Sequence, residues 1–351
     1  MEQIVKLLRE HSRFVIAGHI GPDEDTIGSC LGLAMALGKL GKDAAVVLEP
    51  CAAKHHIIPG QEYLYRGDGP LLPEVFIAID CADIERLGPA QAFFNKANIT
   101  VCIDHHETNK GFAEYNYIDP AASSTAEMVY GIIEILTDID TDIATAIYAG
   151  IVTDTDGFRH VSTGSSTMAI AGRLMDTGIP FTDIYSELLH RHSFAAAKAF
   201  GMALEVCRQT MDGRIVYAYI TREMLASAQA ESSEMDSVVN YLMNTRGAEV
   251  ALFLYERHQN AKNVTDDTLA NSCEASSVSK PDDGLKKIKV SMRSRKLHVG
   301  QIAASLGGGG HRLAAGCTMV GAMDDVLRQV LEAVERELKV EGPVEHVLKS
   351  R

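Results

Sequence analysis

RFVIAGHIGPDEDTIGSCLGLAMALGKL, residues 13–40, starts as an apolar run, passes through an acidic loop and ends in a glycine-threaded apolar segment. The run at 13–18 is typical of a strand that is buried on both faces, and the pattern at 26–40 is helical. The loop between them places His19, Asp23, Glu24 and Asp25 within seven positions. Such closely spaced carboxylates repel each other unless a cation neutralises them, so the loop is a candidate binding site.

The same alternation of strand and helix continues along the first half of the chain. Further strand-like runs lie at 44–49, 75–80, 99–104 and 115–119, and further helical patterns lie at 124–136 and 141–152. This alternation predicts an α/β fold with a mostly parallel sheet flanked by helices. In such a sheet, functional groups gather at the carboxyl ends of the strands.

The second half predicts a smaller α/β unit, since 351 residues are enough for two cores. Helical patterns dominate 164–207 and connect the halves. Strands are predicted at 214–220, 249–256, 286–294 and 316–320, and helices near 234–245, at 299–306 and from 323. The polar segment 258–284 has almost no periodicity and predicts a mobile insertion in a β-hairpin.

Composition limits the classes of function. A net charge of −14 disfavours a duplex-DNA binder, and the apolar runs fall short of the ~20 residues of a membrane-spanning helix. The first 14 residues form a charged amphipathic pattern without the layout of a signal peptide. Seven cysteines without a CxxC pair argue against a disulfide framework and a zinc–thiolate site. We therefore expect a cytoplasmic protein.

One segment is basic, in contrast to the negative net charge of the whole chain. Residues 285–323 contain no Asp or Glu but seven basic residues: Lys286, Lys287, Lys289, Arg293, Arg295, Lys296 and Arg312. Two interpretations stay open, a lysine-protected strand edge or a local anion site. The glycine run 307–310 lies inside this segment, where glycines let the backbone approach an anion closely.

Four clusters of Asp or His follow apolar segments in the first half. Each alone has a structural explanation, because Asp23 or Asp25 could cap a helix and the others could be loop or surface residues. Four clusters on one sheet edge favour two divalent metals ~3.5–4 Å apart with a bridging carboxylate. Mixed imidazole and carboxylate ligands favour Mn²⁺, with Mg²⁺ or Co²⁺ as alternatives. The clusters are His19, Asp23 and Asp25; Asp80 and Asp83; Asp104, His105 and His106; and Asp154 and Asp156.

These motifs resemble those of the DHH phosphoesterase superfamily. GHIGPDEDTIGS (18–29), AIDCAD (78–83), CIDHHET (102–108) and GIVTDTDGF (150–158) are similar to its four metal motifs, in order. SMRSRKLHVGQIAASLGGGGHRLAAG (291–316) is similar to the DHH-associated domain. The resemblance implies a DHH catalytic domain at 1–185, a helical linker at 186–208, a DHH-associated domain at 209–345, and an active site in the cleft between the domains.

The resemblance also implies a role for each site residue. Asp80 would bridge two metals, the catalytic His106 would face the substrate phosphate, and Asp104 would support the histidines by hydrogen bonding. Glu24 and Asp156 depart from the family pattern, and each adds a negative charge that would tighten metal binding or repel the substrate. The implied metal ligands are His19, Asp23, Asp25, Asp80, His105 and Asp154, and the implied substrate contacts are Arg293, Gly308, Gly309, Gly310 and His311. Arg159, just after the fourth motif, is a further candidate for substrate contact.

The resemblance narrows the activity to a compact two-domain enzyme. It implies a bifunctional oligoribonuclease (nanoRNase) that also removes the 3′-phosphate from adenosine 3′,5′-bisphosphate (pAp), acting through metal-activated water. A phosphodiesterase for cyclic di-AMP or its linear product pApA is the alternative, and a catalytically dead nucleic-acid scaffold is a third. The expected partners are short single-stranded RNA or small adenine nucleotides, not duplex DNA or a membrane, and a homodimer stays open.

Overall fold

The computed structural model describes residues 1–50, 53–67, 71–256, 286–310 and 312–341, which fall into two units, Met1–Arg191 and His192–Arg351. The predicted insertion at 258–284 and the predicted substrate contact His311 lie outside the described residues. Within the described ranges, every helix is too short or too polar to cross a bilayer.

The first unit is built on a five-stranded parallel sheet. Its strands are β1 (Arg13–Ala17), β2 (Asp43–Val47), β3 (Val75–Ile79), β4 (Ile99–Asp104) and β5 (Tyr115–Ile118), in the order β2-β1-β3-β4-β5. The central strand β3 is buried along its whole length. Its alternate residues enter two cores, with Ile77 and Ile79 on one face and Phe76 and Ala78 on the other. The predicted parallel α/β fold is confirmed.

Helices cover this sheet. They are α1 (Glu2–Glu10), α2 (Glu24–Lys39), α3 (Gln91–Phe94), α4 (Thr125–Leu136), α5 (Thr141–Asp154), α6 (Ser165–Asp176) and α7 (Phe181–Tyr185). Short 3₁₀ turns lie at Ala53–Ile57, Gln61–Tyr63 and Glu85–Ala90, and a π-helical turn lies at Ser186–His190. Helices α2, α4 and α5 contribute to the larger core, and α2 packs directly on α5.

The second unit contains a six-stranded mixed sheet in the order β10-β11-β9-β8-β7-β6. Strands β7 and β8 are parallel, and the other neighbours are antiparallel. The strands are β6 (Arg208–Thr210), β7 (Ile215–Ile220), β8 (Val250–Glu256), β9 (Lys286–Ser294), β10 (Gly309–Gly310) and β11 (Ala314–Gly321). The helices are α8 (Phe194–Glu205), α9 (Arg222–Ala228), α10 (Val238–Met243), α11 (Val299–Ser305) and α12 (Met323–Glu341), with a 3₁₀ turn at Ser232–Met235.

The two faces of this sheet carry separate cores. Leu252 and Leu254 of β8 face the core that includes α12, and Ala251 and Phe253 face the core formed with α8, α9 and α10. Helix α12 presents buried residues at i, i+4, i+8 and i+12, which is the spacing of one helical face. These residues are Val326, Val330, Val334 and Leu338.

Two details of the second unit differ from the sequence predictions. The helix predicted near 234–245 is interrupted between the 3₁₀ turn and α10, where the side chain of Asp236 accepts hydrogen bonds from Tyr255 and Lys289. The edge-strand interpretation of the basic segment is wrong for β9, which pairs with β8 on one side and β11 on the other. The antiparallel pairing of β8 and β9 on either side of residues 257–285 agrees with the predicted hairpin.

Candidate functional site

The carboxyl edge of the first sheet collects the acidic and imidazole side chains that the sequence singles out. His19 follows β1, Asp80 follows β3, and Asp104 ends β4 directly before His105 and His106. Asp23 is the N-cap of α2, and Asp154 is the last residue of α5. Because the strands are parallel, their carboxyl ends meet at one edge.

Asp80 lies at the centre of this cluster. Its Oδ2 is 3.7 Å from Nε2 of His19, and its Oδ1 is 3.8 Å from Nε2 of His105. Thr26 and Thr125 donate hydrogen bonds to Oδ2 and Oδ1 over 2.7 and 2.9 Å. Asp80 is only 2 % exposed and has a φ of 55°, which an aspartate tolerates better than most residues. Each of its oxygens therefore faces a different set of neighbours.

The side chain of Asp25, in the first turn of α2, is held by the start of a second helix, α4. It is 1 % exposed and accepts hydrogen bonds of 2.8 Å from the backbone amides of Thr125 and Ala126, which open α4. Burial and the charges of Asp80 and Asp154 raise the pKa of Asp25 well above its ordinary value. Burial, together with Asp80 and Asp23, also raises the pKa of Asp154 to about 7. The protein alone does not neutralise the repulsion among these carboxylates.

Three overlapping groups within the described ranges could hold a metal ion, since one donor atom from each residue lies within 4.8 Å of the others. The donor set fits divalent cations, because a bound cation would attract the carboxylates that otherwise repel each other. Carboxylate oxygens and imidazole nitrogens are also ligands that such cations accept. One group contains His106, which the resemblance places toward the substrate. The groups are His19, Asp23 and Asp80; Asp25, His105 and Asp154; and Asp80, His105 and His106.

His106 is oriented by a buried carboxylate. Its Nδ1 lies 2.7 Å from Oδ1 of Asp104, which is fully buried. Burial acts to lower the pKa of His106, but the hydrogen bond with Asp104 and the charge of Asp80 outweigh it and raise the pKa to about 8. The contact with Asp104 therefore fixes the direction in which the imidazole ring of His106 faces.

Sequence reasoning missed three residues that support this site. Asn109 is buried, and its Nδ2 donates to Oδ2 of Asp104 over 2.7 Å and to the carbonyl of Cys81 over 3.0 Å. Thr26 and Thr125 hold Asp80, as described above. Thr26 stands inside the first motif, but its spacing gives no sign of a partner 54 positions away. Asn109 follows His106 by three positions, and the proximity of a polar residue to a motif is the only available signal.

The two acidic departures from the family pattern have structural partners. Glu24 pairs with Lys54 and lies 3.1 Å from Nε2 of His55, so its charge is balanced by the 3₁₀ turn Ala53–Ile57. Asp156 pairs at 3.0 Å with Arg159, the predicted substrate contact. Neither acid belongs to a metal group among the described residues. Phe158 packs against the larger core near Tyr148.

In the second unit, Arg293 lies near the end of β9. Its Nε donates to Oδ1 of Asn240 on α10 over 2.9 Å, and its Nη1 donates to the carbonyl of Met292 over 3.0 Å. The register pairs Arg293 with Ala314 of β11, and Ala315 of the same strand pairs with Gly310. Arg293 and the glycine run therefore lie at the same end of this sheet.

The predicted substrate-contact glycines differ in their structural roles. A Cβ on Gly308 would overlap the backbone of β11, and one on Gly310, whose φ is 138°, would lie 2.6 Å from Cα of Ala315. Gly309 is exposed, and a Cβ there would meet no described atom within 4 Å. Close strand pairing thus explains Gly308 and Gly310, and Gly309 is the position open to a ligand.

Both units match known family models. Residues 13–151 match the N-terminal domain of the DHH family, and residues 212–340 match the DHHA1 domain. The chain belongs to the DHH family.

The chain is similar to curated proteins and to a solved structure, over half of its length or nearly all of it. The bifunctional oligoribonuclease and PAP phosphatase NrnA of Thermus thermophilus is 30% identical over 93% of this chain and 90% of its own length. The cyclic-di-AMP phosphodiesterase GdpP of Bacillus subtilis is 30% identical over 49% of this chain and 29% of its own length. A crystal structure of an exopolyphosphatase-related protein from Bacteroides fragilis has a TM-score of 0.81 at 23% identity and covers 95% of both chains, which shows the shared fold.

Membership of the DHH family agrees with the geometry of the first unit. The family model ends at residue 151, just before Asp154, and includes the strand ends that carry His19, Asp80 and His105. The DHHA1 match includes β9 with Arg293 and the glycine strand β10. Both halves of the predicted motif set therefore lie in or directly beside a matched DHH-family domain.

Proposed function

We propose that this chain is a metal-dependent phosphoesterase that hydrolyses very short oligoribonucleotides to mononucleotides and removes the 3′-phosphate from pAp. The proposal rests on Asp80, whose two oxygens face different groups of metal-ligand side chains. A bridging carboxylate in this position is what a two-metal hydrolase requires. The relative from Thermus thermophilus, which carries both activities in its name, supports this choice of substrates.

Six residues would hold the metals, and Mn²⁺ suits their mixed ligand set best. When bound, the cations would lower the pKa of a water molecule and neutralise charge on the phosphate. The protein supplies the positions, since Thr26 and Thr125 fix Asp80, and the amides at the start of α4 fix Asp25. The ligands are His19, Asp23, Asp25, Asp80, His105 and Asp154.

His106 would act directly on the substrate phosphate. With a proton on Nε2, this imidazole would donate a hydrogen bond to a phosphate oxygen. Asp104 would accept a hydrogen bond from Nδ1–H and so fix the ring plane. The negative charge that develops on phosphorus-bound oxygens would therefore meet a fixed donor.

A panel of substrates tests the proposal. With Mn²⁺ present, the chain should release mononucleotides from RNA of two to five nucleotides and phosphate from pAp, and activity should stop when a chelator removes the metal. The same panel includes cyclic di-AMP and pApA, because the relative GdpP favours a cyclic-dinucleotide phosphodiesterase as the second candidate. Hydrolysis of cyclic di-AMP without turnover of short RNA or pAp would favour that candidate, and turnover of none would exclude both.

Asn109→Ala should lower kcat about 10–100-fold with little change in KM. Asp104 would lose the 2.7 Å donor on the side opposite His106, and the imidazole would lose its fixed orientation. Asn109→Asp should cost more, because it places a second carboxylate against Asp104. Steady-state kinetics on pAp measure both variants, with Asn116→Ala, at an exposed position of β5, as the control. A rise in KM at constant kcat would contradict this role for Asn109.

Arg293→Ala should raise KM about 10–100-fold and leave kcat within about threefold, because the guanidinium would bind the phosphate end remote from the metals. Kinetics on pAp and a dinucleotide measure the effect. Lys287→Ala on the same strand removes an equal charge at the opposite end and serves as the control. An equal effect of both substitutions would indicate a general electrostatic contribution in place of a specific contact.

A further inference from the structure

A cavity of about 200 Å³ opens beside His19 at the carboxyl edge of the first sheet. Its walls come from the segment after β1, the end of β2 and the 3₁₀ turn Glu85–Ala90. Six of the nine described lining residues are aliphatic: Ile20, Val47, Leu48, Leu87, Pro89 and Ala90. His19, which also faces Asp80 and Asp23, connects the cavity to the candidate metal centre.

Hydrogen bonds and close packing hold these walls in place without a ligand. The amide of Ile20 donates to the carbonyl of Arg86 over 2.8 Å, and the amide of Gly21 donates to Oε2 of Glu49 over 2.6 Å. Gly88 has a φ of 52°, and a Cβ there would collide with the side chain of Ile20. The loop after β1 is thus tied to both other walls, so the cavity is preformed.

The volume of the cavity and the chemistry of its walls limit which ligands it can bind. About six waters at ~30 Å³ each would fill the space, but aliphatic walls offer them few hydrogen-bond partners. The volume is below the ~300–1,000 Å³ of pockets that take a drug-sized ligand, so a whole dinucleotide does not fit. A single nucleobase is small enough for this volume. The carboxylate of Glu49 in the wall repels a phosphate, which directs an anionic group toward His19 and the metal centre.

We infer that the cavity binds one nucleobase of the substrate, the base of the nucleoside that carries the cleaved phosphate. This inference rests on the proposed function, and it adds a base subsite in the first unit to the phosphate contacts of the second. Such a subsite would let the chain bind a base although it has no tryptophan on which the base could stack. Aliphatic side chains enclose the ring, and none of the described lining residues is Phe, Tyr or Trp.

The direct test uses the wild-type protein, labelled at the methyl groups of Val and Leu and loaded with diamagnetic Mg²⁺. With adenosine 5′-monophosphate bound, nuclear Overhauser effects should connect base protons to the methyl groups of Val47, Leu48 and Leu87. Contacts to methyl groups elsewhere, with none to these three, would overturn the inference. The measurement does not depend on a variant that folds.

A filling substitution tests the same site by affinity. Val47 ends β2 and is partly buried, and Val47→Trp places a large ring in the cavity. Calorimetry should show adenosine 5′-monophosphate binding weakened roughly tenfold or more, with binding of inorganic phosphate unchanged. The matched control is Val320→Trp, at a position on β11 that is 61 % exposed, and both ligands should bind it as they bind the wild type.

Each result has a defined meaning. Unchanged binding of adenosine 5′-monophosphate in Val47→Trp overturns the inference, and so does equal weakening of both ligands, because filling a base subsite would weaken binding of the nucleotide only. Turnover of short RNA or pAp without these contacts overturns the base subsite and leaves the proposed function intact. The contacts without turnover of any panel substrate support the subsite and reject the proposed function.

Discussion

Asp80→Asn is expected to reduce phosphoester hydrolysis at least about a thousandfold and to raise the melting temperature of the metal-free protein. Under the proposed function, activity would fall because a neutral amide holds divalent cations more weakly than a carboxylate does. Stability rises because one charge leaves a group in which repulsion already raises the pKa values of Asp25 and Asp154. Each kcal/mol gained corresponds to about 2–4 °C for a domain of this size, so a rise of a few degrees is expected.

The local structure should tolerate this substitution. Asparagine also adopts the left-handed backbone conformation that Asp80 has at φ 55°, and threonine hydroxyls can rotate to donate or accept. Asp212→Asn is the matched control, because Asp212 has the same φ of 55° but lies exposed in the turn between β6 and β7.

Thermal unfolding with and without Mn²⁺ measures the stability effect. Added Mn²⁺ should raise the melting temperature of the wild type more than that of Asp80→Asn, and the Asp212→Asn control should behave like the wild type. Full activity in Asp80→Asn, or a lower melting temperature without metal, would contradict the assignment of Asp80 as the shared ligand.

Gly28→Ala is expected to destabilise the protein by about 3 kcal/mol, at the upper end of the usual range for overpacking. A Cβ on Gly28 would overlap the backbone carbonyl of Ala146, because α2 and α5 are in direct backbone contact here. Backbone atoms of a packed helix cannot rotate away as a side chain can. Activity should fall too, since Asp25 lies one turn earlier on α2, so close to α5 that a Cβ on Gly150 would meet its Oδ1 at 2.9 Å.

Gly172→Ala is expected to change stability in the opposite direction. Gly172 lies exposed inside α6, and an added Cβ would meet no described atom within 4 Å. The same substitution should therefore stabilise the protein by about 0.5–1 kcal/mol, because alanine restricts the unfolded chain and favours the helix. Urea unfolding of both variants gives the comparison. Equal effects of the two substitutions would show that the close contact between α2 and α5 does not limit stability.

Local patterns were sufficient to predict the first sheet. Its five strands lie within two residues of their predicted bounds, since continuous apolar runs identify strands that are buried on both faces. The short strands β6 and β10 were not predicted. Two or three residues contain no measurable period, and two glycines form β10 because β11 lies beside them.

Contacts between residues far apart in sequence determine the roles of three motif residues that the motifs themselves could not predict. Glu24 stands within the first metal motif as an additional acid, but Lys54 and His55 approach it from the turn 30 and 31 positions later. Glycines 308 and 310 resemble an anion-binding loop, but β11 leaves no room for side chains there. Sequence spacing cannot show such neighbours, because they are brought together only when the sheet forms.

The sequence by itself determined the alternation of strands and helices, the edge at which polar groups gather, and the family of the first and second units. These properties depend on local periodicity and on the order of motifs along the chain. The tertiary structure alone decided that Asn109, Thr26 and Thr125 support the site and that an aliphatic cavity opens beside His19. Hydrogen-bond partners and enclosed volume depend on distances between segments far apart in sequence, and only the folded chain sets those distances.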